Sequence, residues 1–351
     1  MNTGNLPVRL LIFLLIGALL ISCKKKETPL AAEDTVAVLE EGSAEDYPQE
    51  EVLSGTGRTA GSIGASGGVQ VSRLVQSPKQ GLAAVGGRVN TREINPVNYE
   101  NPDIEILKRM GAEQSIISYF TGEQFYKAGN YDKALVEYNA SISQNTEFPE
   151  ALISRGNTWL KKKEYRRAVD DFTRAIKIDG KRPEVYNYRG YARMELGDLR
   201  LAIEDYSQAL AITSNYTDAL INRSQALYEI GEYRRVIDDC NRIIALEPKN
   251  AYAWNRRGSA WYSLGDDDKA IKDFTEAINL RGNYAAAWHN RGNAWHGKGE
   301  LDKALADINR ALAINPSFAG AYTSRGNIFK LLGNNESAAA DFAEAQRLKG
   351  Y

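Results

Sequence analysis

Histidine and cysteine, the side chains that most often bind metals or activate a nucleophile, are scarce in this sequence. The 351 residues include two histidines, His289 and His296, and two cysteines, Cys23 and Cys240. On one helix the two histidines would lie about 10.5 Å apart along the axis, which is too far for both to bind one zinc ion easily. The sequence also lacks a serine elbow, a phosphate-binding loop and a histidine placed to activate a nucleophile. We therefore expect no catalytic activity, no bound metal and no cofactor.

Charge and cysteine content exclude further classes of protein. Lysine and arginine total 44, and aspartate and glutamate total 45, so no overall positive field would attract nucleic acid. Two cysteines cannot form a disulfide framework, and we expect Cys240 to be a buried, inert thiol. Residues 55–60 match a dinucleotide-binding fingerprint by letter, but no apolar strand precedes them and no helical pattern follows, so we interpret the match as chance.

Arginine and aspartate recur with one spacing over a long part of the chain. An arginine recurs at a constant interval from Arg155 to Arg325, and an aspartate recurs at the same interval from Asp171 to Asp341. The one-to-one matching suggests pairing, because a guanidinium can hold a carboxylate through two N–H groups. We expect largely internal pairs along the helix seams; a solvated or ligand-facing arginine stripe is the alternative. The residues concerned are Arg155, Arg189, Arg223, Arg257, Arg291 and Arg325, with Asp171, Asp205, Asp239, Asp273, Asp307 and Asp341.

The same period extends from Ser115 to the end of the sequence without an insertion or deletion. The eighth position is glycine except at Ser224, the twentieth and twenty-seventh are mostly alanine, and the eleventh and twenty-fourth are mostly aromatic. These columns resemble the tetratricopeptide repeat family, whose repeats are helix–turn–helix units of about 34 residues. The resemblance implies an all-α fold, a right-handed superhelical solenoid of seven repeats over residues 115–148, 149–182, 183–216, 217–250, 251–284, 285–318 and 319–351.

Local signals agree with paired helices. A glycine is expected to cap the first helix in six repeats, and Pro149 and Pro183 are expected to open first helices. Repeat four departs from the pattern, because Cys240 replaces the aromatic residue and the three small columns hold larger side chains. We expect its two helices to cross less tightly. The larger residues are Ser224, Val236 and Ile243.

In the tetratricopeptide fold, positions two, five, nine, twelve and thirteen of the first helix line a concave groove, and the resemblance implies the same here. Amides and aromatic residues dominate positions five, nine and twelve. Asparagine can hydrogen-bond the backbone of an extended peptide and tyrosine adds rigid contact area, so we interpret the groove as peptide-binding; drift to polar surface residues is the alternative. The candidate residues are Tyr119, Tyr126, Asn157, Asn187, Tyr191, Gln225, Tyr228, Asn255, Tyr262, His289, Asn293, His296 and Asn327.

Acidic residues at the second position leave the charge of the ligand open. Glu150, Glu184 and Asp218 could attract a basic ligand, or they could reflect the preference of a helix N-terminus for a carboxylate. Some members of the family clamp a terminal carboxylate with lysine at position five. No repeat in this sequence has lysine there, so that ligand class is disfavoured.

The N-terminal segment, from Met1 to Cys23, has the features of a secretory signal. Arg9 is followed by an uncharged run, Leu10–Ile21, that is too short to span a bilayer. The stretch Leu20–Cys23 resembles the bacterial lipobox, which implies a signal peptide over residues 1–22 and acylation of Cys23, with palmitate among the attached chains. A signal anchor with an incidental cysteine is the alternative.

The segment between this signal and the repeats is expected to be a tether. Residues 23–101 are acidic at first and then rich in glycine and serine, a composition typical of disorder, and residues 102–114 are expected to cap the first repeat. Acyl chains on Cys23, with the adjacent Lys24–Lys26, would hold the chain at a membrane.

These expectations combine into one functional prediction. We expect a lipid-anchored scaffold of the bacterial cell envelope, at the outer rather than the inner membrane, with a periplasmic solenoid that binds envelope proteins or peptides and not nucleic acid. A carbohydrate- or peptidoglycan-binding protein is the alternative. The last repeat could in addition support self-association.

Overall fold

The computed structural model describes residues 104–109 and 112–350, and every regular element within these ranges is an α-helix. The expected signal peptide, the acylated Cys23 and the tether lie outside the described residues. Among the helices described, none is long and apolar enough to cross a membrane. The described part of the chain is therefore all-α, as the repeat pattern predicts.

Backbone contacts divide the described residues into two compact units, one ending at Gly180 and the other beginning at Lys181. In the first unit a short helix packs on the first of two helix pairs, and the members of each pair pack on each other. Each pair corresponds to one repeat of the sequence. The helices of this unit are α1 (Ile104–Arg109), α2 (Gln114–Lys127), α3 (Tyr131–Gln144), α4 (Pro149–Lys161) and α5 (Tyr165–Ile178).

The second unit consists of five helix pairs, and each pair also packs on the first helix of the next. Their apolar residues form the buried core, in which small side chains such as Ala202, Ala253 and Ala287 have no exposed surface. The helices are α6 (Pro183–Glu195), α7 (Leu199–Ile212), α8 (Thr217–Glu229), α9 (Tyr233–Leu246), α10 (Ala251–Ser263), α11 (Asp267–Leu280), α12 (Ala285–Gly297), α13 (Leu301–Ile314), α14 (Ala319–Leu331) and α15 (Asn335–Leu348).

The turn inside each pair depends on one residue with a positive φ angle. In six repeats this residue is the glycine expected from the sequence, such as Gly197 at 83° and Gly265 at 85°. Repeat two has Lys163 at this place, with φ 59°, a conformation in which a Cβ is unfavourable. The predicted glycine caps are confirmed.

Glycine at the eighth position allows the two helices of a pair to approach closely. A Cβ added to Gly258 would lie 2.7 Å from Cε1 of Phe274, and one added to Gly190 would lie 2.7 Å from Cε1 of Tyr206. These distances are shorter than packed carbon atoms allow, so a side chain there would force the ring or the helix to move. The glycine column is therefore a requirement of packing.

Repeat four has a larger residue than glycine at the eighth position and a smaller residue than the usual aromatic at the twenty-fourth. Ser224 and Cys240, both fully buried, occupy the eighth and twenty-fourth positions, so a small thiol stands where other repeats have a ring. The hydroxyl of Ser224 donates to the carbonyl oxygen of Ile221 at 2.7 Å. Helices α8 and α9 pack less closely than the other pairs of the unit, in the direction that the sequence predicts.

Candidate functional site

Arginines of the first helices bind aspartates of the second helices of the same repeat. In repeat four, Nε and Nη2 of Arg223 donate to the two carboxylate oxygens of Asp239 at 2.8 and 2.6 Å. The aspartate side chain is 2% exposed and the arginine side chain 16%, so the pair is largely internal. We call these pairs the arginine–aspartate seam, and its members are Arg155–Asp171, Arg189–Asp205, Arg223–Asp239, Arg257–Asp273, Arg291–Asp307 and Arg325–Asp341.

Five of these arginines also bind a side chain of the preceding repeat. Nη1 of Arg223 donates to Oγ of Ser207 at 3.0 Å. This acceptor was not predicted from the sequence, although serine, threonine or asparagine stands at the same distance along the chain before each of the five arginines. Each of them therefore joins two consecutive repeats. The other four bonds are Arg155 to Asn139, Arg257 to Asn241, Arg291 to Thr275 and Arg325 to Asn309.

Aromatic rings pack against the guanidinium groups of the seam. Cζ of Arg257 lies 4.6 Å from the centroid of the Trp254 ring, and that of Arg291 lies 4.9 Å from the Trp288 ring. At such distances a cation is attracted by the face of the ring. The hydrogen bonds to Asp273 raise the pKa of Arg257, so this guanidinium keeps its charge over the whole physiological range.

On another face of the same first helices, in the second unit, position five contacts position six of the following repeat. Nδ2 of Asn222 donates to Oδ1 of Asn187 at 3.0 Å, and Nδ2 of Asn290 donates to Oδ1 of Asn255 at 3.1 Å. Asn187 and Asn255 are 1% and 0% exposed. We predicted these two residues to line an open groove; the structure places them in a buried layer because the next repeat packs over them.

Tyrosines lie beside both amide pairs. The hydroxyl of Tyr216, whose pKa is raised mainly by burial, is close enough to Asn187 for that side chain to affect it, and Nδ2 of Asn255 donates to the hydroxyl of Tyr284 at 3.4 Å. The residues at position six and these tyrosines were not predicted from the sequence. The signal for position six was a polar residue in the repeat that follows each asparagine or histidine at position five.

His289 continues this layer between repeats six and seven. Its Nε2 is 2.8 Å from Oγ of Ser324, and Nδ2 of Asn293 lies 3.2 Å from the same nitrogen. The ring is fully buried and meets Phe318 edge-on at 4.7 Å. Burial lowers the pKa of His289 to about 3, so the imidazole is neutral at physiological pH. We call the polar layer formed by these residues the amide face: Asn187, Asn222, Asn255, Asn290, Asn293, His289 and Ser324.

The amide face contains polar atoms whose hydrogen-bonding capacity is not used. Within the described residues, no donor reaches Oδ1 of Asn222 and no partner reaches Nδ1 of His289. In the first unit, Oδ1 of the buried Asn157 likewise has no hydrogen-bond partner within the described residues. A buried polar atom without a partner costs roughly 1–3 kcal/mol, so these atoms lower the stability of the packing around them.

The remaining candidate residues of the second unit are packed to different degrees. Tyr191, Gln225 and Tyr262 are buried, whereas the other three are partly exposed. The hydroxyl of Tyr228 lies 3.2 Å from Oγ of Ser263, and burial lowers the pKa of His296. The three partly exposed residues are Tyr228, His296 and Asn327.

In the first unit the two candidate tyrosines pack against aromatic neighbours. The ring of Tyr119 lies 5.1 Å from that of Phe148, and the ring of Tyr126 lies 5.5 Å from that of Tyr131. Both tyrosines are partly exposed. They therefore contribute to the packing of the unit as well as to its surface.

A buried arginine, Arg256, also lies on this side of the second unit and was not predicted from the sequence. It is 2% exposed, and its Cζ lies 5.3 Å from the ring centroid of Tyr228 and 5.0 Å from that of Tyr252. Its Nε donates to the hydroxyl of Tyr252 at 3.1 Å. Arg256 occupies position six, where the equivalent residues in repeats four and six are asparagines.

Metal-binding side chains do not converge in the part of the chain that the structure describes. No group of three or more histidine, cysteine, aspartate or glutamate residues there is arranged to hold a metal ion. The buried Cys240 has its pKa raised to about 12 by burial, so its thiol is protonated and unreactive.

Comparisons with known proteins agree with this geometry. Family models described as tetratricopeptide repeat match residues 121–184, 251–284, 285–318 and 319–350, and one described as TPR repeat matches residues 190–231. Together they cover more than half of the chain. No curated protein sequence matches it.

Solved structures of repeat proteins resemble the fold. A tetratricopeptide repeat protein from Parabacteroides merdae is 21% identical over 68% of this chain and 94% of its own, with a TM-score of 0.57. The C-terminal part of a TPR repeat-containing protein from Cytophaga hutchinsonii is 16% identical over 66% of this chain and 95% of its own, with a TM-score of 0.54. At these identities the likeness concerns the fold alone. With its helix pairs, its glycine column and the matching family models, the chain belongs to the tetratricopeptide repeat family.

Proposed function

We propose that the chain is a protein–protein interaction scaffold that binds an extended segment of a partner protein along partly exposed residues of the same first helices, Tyr228, His296 and Asn327. The observation that supports this most directly is that a tyrosine, an imidazole and an amide side chain remain partly exposed on these helices, beside the buried amide face. An extended segment presents N–H and C=O groups on its backbone, and both kinds of group can pair with amides.

The proposal includes no chemical step. The neutral, buried His289 and the protonated Cys240 are unsuited to activating a nucleophile. The seam arginines are held by aspartates, which leaves them poorly placed to bind substrate. The partner-binding role therefore rests on hydrogen bonding and contact area.

We further propose that the scaffold is held in the bacterial cell envelope by acyl chains on Cys23, at the outer rather than the inner membrane, with its repeats in the periplasm. Support comes from the lipobox-like Leu20–Cys23 and from Lys24–Lys26, which would favour anionic lipid headgroups. Metabolic labelling with palmitate should label the full chain but not Cys23→Ser, which should move to the soluble fraction. Labelling of both chains, or of neither, would contradict the anchor.

The peptide-binding role can be tested with the full chain carrying Cys23→Ser, immobilised and exposed to a random library of short peptides. We expect enrichment of extended sequences, and weaker binding of the enriched peptides after Tyr228→Ala or Asn327→Ala. Asn279→Ala is a matched control because Asn279 is exposed on a second helix.

Two results would overturn this role. One is a library from which no peptide is enriched. The other is sedimentation of the purified chain with pure peptidoglycan and no binding to peptides, which would favour the carbohydrate-binding alternative.

A further inference from the structure

The turn of repeat two, between α4 and α5, has the densest run of cationic side chains in the described part of the chain. Five lysines and arginines fall within seven residues, against one acidic residue, Glu164. The backbone N–H of Glu164 donates to the carbonyl oxygen of Trp159 at 2.9 Å, which closes the turn and keeps the two helix ends together. We call these five residues the basic turn: Lys161, Lys162, Lys163, Arg166 and Arg167.

The positive charge of the basic turn is only partly balanced by its surroundings. All five residues are exposed. Nζ of Lys162 binds Oδ1 of Asp132 at 2.7 Å, and Cζ of Arg167 lies 4.7 Å from the ring centroid of Trp159. Within the described residues, no carboxylate pairs with the other three cations, which are Lys161, Lys163 and Arg166.

The helix dipole explains only part of this charge. A cation in the last turn of a helix is favoured by the dipole, which accounts for Lys161 at the end of α4. Arg166 and Arg167 lie in the first turn of α5, which contains no acidic residue. The dipole disfavours a cation at that end of a helix, so the two arginines are placed against it.

The backbone of Lys163 is a second, independent sign that a cation is needed here. Its φ angle is 59°, and the six other repeats have glycine at this position, where a positive φ is reached without steric cost. In lysine the same conformation brings Cβ too close to the following carbonyl oxygen and costs stability. Residues held in such a conformation occur most often at functional sites. The cost is offset if the ammonium group of Lys163 binds an anionic partner.

Repeat four shows the same turn without the lysines. It has two arginines, Arg234 and Arg235, in the first turn of α9, but a glutamate, an isoleucine and a glycine stand where repeat two has three lysines. Nη1 of Arg235 binds Oε2 of Glu232 at 2.5 Å. The charge of this turn is thus balanced within the repeat, whereas that of the basic turn is not.

We propose that the basic turn binds an acidic segment of the same chain, residues 27–51. This segment lies outside the described residues, and it has nine aspartates and glutamates and no lysine, arginine or histidine. Its charge is therefore opposite to that of the basic turn, and carboxylates form charge-assisted hydrogen bonds with ammonium and guanidinium groups. The inference goes beyond the proposed function, because it depends neither on acylation of Cys23 nor on a partner protein.

Chain length permits this contact. About 50 residues separate the acidic segment from α1, and a chain of that length can extend to roughly 170 Å, whereas the helices of the first unit are about 20 Å long. Because both parts belong to one chain, the segment is present at a high effective concentration. Surface ion pairs, which are weak one by one, therefore suffice to hold it.

Anionic lipid headgroups would also attract the basic turn. The acidic segment, however, is attached to the repeats whether or not a membrane is near, so it can occupy the turn at any location of the protein. The experiment below distinguishes the two.

The test measures whether the attached segment occupies the basic turn. A fluorescent peptide of residues 27–51 is titrated, at low ionic strength, onto two forms of the full chain with Cys23→Ser. One form has no other change; in the amide form, the nine acidic residues of the segment are replaced by the corresponding amides. We expect the peptide to bind the amide form, and to bind the other form several-fold more weakly because the attached segment competes. Added salt should weaken both interactions.

Variants of the basic turn locate the binding. In the amide form, Lys161→Gln, Lys163→Gln and Arg166→Gln together should weaken binding of the peptide about 10-fold, as expected for the loss of three surface ion pairs. The matched control makes the same change of charge at three exposed residues of the second unit and should leave binding unchanged: Arg200→Gln, Arg234→Gln and Lys272→Gln.

The single variant Lys163→Gly separates charge from folding. Glycine adopts a positive φ without strain, so this variant of the amide form should be at least as stable as its parent in urea, and yet bind the peptide about 2-fold more weakly. Unchanged or tighter binding would contradict the role given to the Lys163 side chain.

Three results would overturn the inference. Equal affinity of the peptide for the two forms of the chain would show that the attached segment does not occupy the turn. Equal losses in the triple variant and its control would show that the attraction is not local to the basic turn. Binding of phosphatidylglycerol vesicles that is lost in the triple variant, with no binding of the peptide to the amide form, would assign the turn to a membrane surface.

Discussion

The first helices of the second unit have two polar faces that differ in how completely their hydrogen bonds are made. In the arginine–aspartate seam, Arg223 donates to Asp239 through two nitrogen atoms and to Ser207 through a third. In the amide face, Asn222 donates one bond to Asn187, while its Oδ1 has no donor within the described residues. Both faces are largely withdrawn from water.

This difference implies that the two faces contribute unequally to stability. A buried ion pair with all its hydrogen bonds made is disrupted at high cost when one partner is removed. A buried amide with an unused oxygen contributes less to stability. We infer that the seam holds consecutive repeats together more firmly than the amide face does.

The largest effect should follow from breaking one pair of the seam. Asp239→Ala leaves the guanidinium of Arg223 without its carboxylate, and we expect a loss of about 3 kcal/mol, near the lower limit for buried pairs because this arginine retains some contact with water. Amide hydrogen exchange in α8 and α9 measures the local loss. The neighbouring Asp238 is exposed, so Asp238→Ala should change little. Equal effects of the two substitutions would show that the seam adds no stability.

Acid should lower the free energy of unfolding through His289, a residue of the amide face. Burial lowers the pKa of His289 from 6.5 to about 3, so between these values the unfolded chain binds a proton that the folded chain excludes. The stability linked to the neutral ring is complete above pH 6.5 and is lost as the pH falls, at about 1.4 kcal/mol per pH unit.

Urea unfolding of the chain and of His289→Asn at two acidic pH values measures this loss. From about pH 6 to about pH 4 the variant should lose roughly 2.5 kcal/mol less than the unaltered chain. His296→Asn is the control, because His296 is only partly buried and should show a smaller difference. The same pH dependence with and without His289 would contradict its neutral, buried state.

A smaller effect is expected when an arginine of the seam loses its bond to the preceding repeat. Ser207→Ala removes the acceptor of Arg223 Nη1 and the bond from the Ser207 hydroxyl to the carbonyl oxygen of Ile203, but it leaves the carboxylate in place. We expect a loss of about 1 kcal/mol, typical of one hydrogen bond, because a serine bond to its own helix backbone adds no stability. Unfolding midpoints measure it, with the exposed Ser317→Ala as the matched control. If Ser207→Ala were neutral, the link between repeats would depend on apolar packing alone.

The smallest effect should come from an ion pair at the surface. Lys298 binds Asp268, whose side chain is 82% exposed, and such pairs contribute little because water solvates both charges. Lys298→Ala should leave the unfolding midpoint unchanged within error. If Lys298→Ala lowered the stability as much as Asp239→Ala, the pairing of charges, and not their burial, would explain the stability that the seam adds.

The repeat period alone predicts most of the fold. The spacing of Arg223 and Asp239 predicts their pairing because equivalent positions of equivalent helices must face each other, and glycines such as Gly265 locate the helix ends. The third bond, to Ser207, was not predicted because serine at a partly exposed helix position has no distinctive pattern of its own.

Burial of the amide face could not be derived from one helix. Helical periodicity places Asn187 on the concave side, but whether water reaches it depends on what the next repeat supplies, and Asn222 covers it. The packing of repeat four could not be predicted from one residue either. Ser224 alone suggests that the two helices cross less tightly, but its effect depends on the small Cys240 at the twenty-fourth position.

The three bonds made by five of the six seam arginines have a further consequence, for the permitted length of the loops. Arg223 lies 16 residues after one anchor, Ser207, and 16 residues before the other, Asp239. One residue inserted into the loop before α8 or the loop after it would displace an anchor from its arginine, whereas a change in loop composition would not. Removal or duplication of a block of one whole repeat would keep every pair in register. The chain can therefore lengthen or shorten by entire repeats, but not by single residues within them.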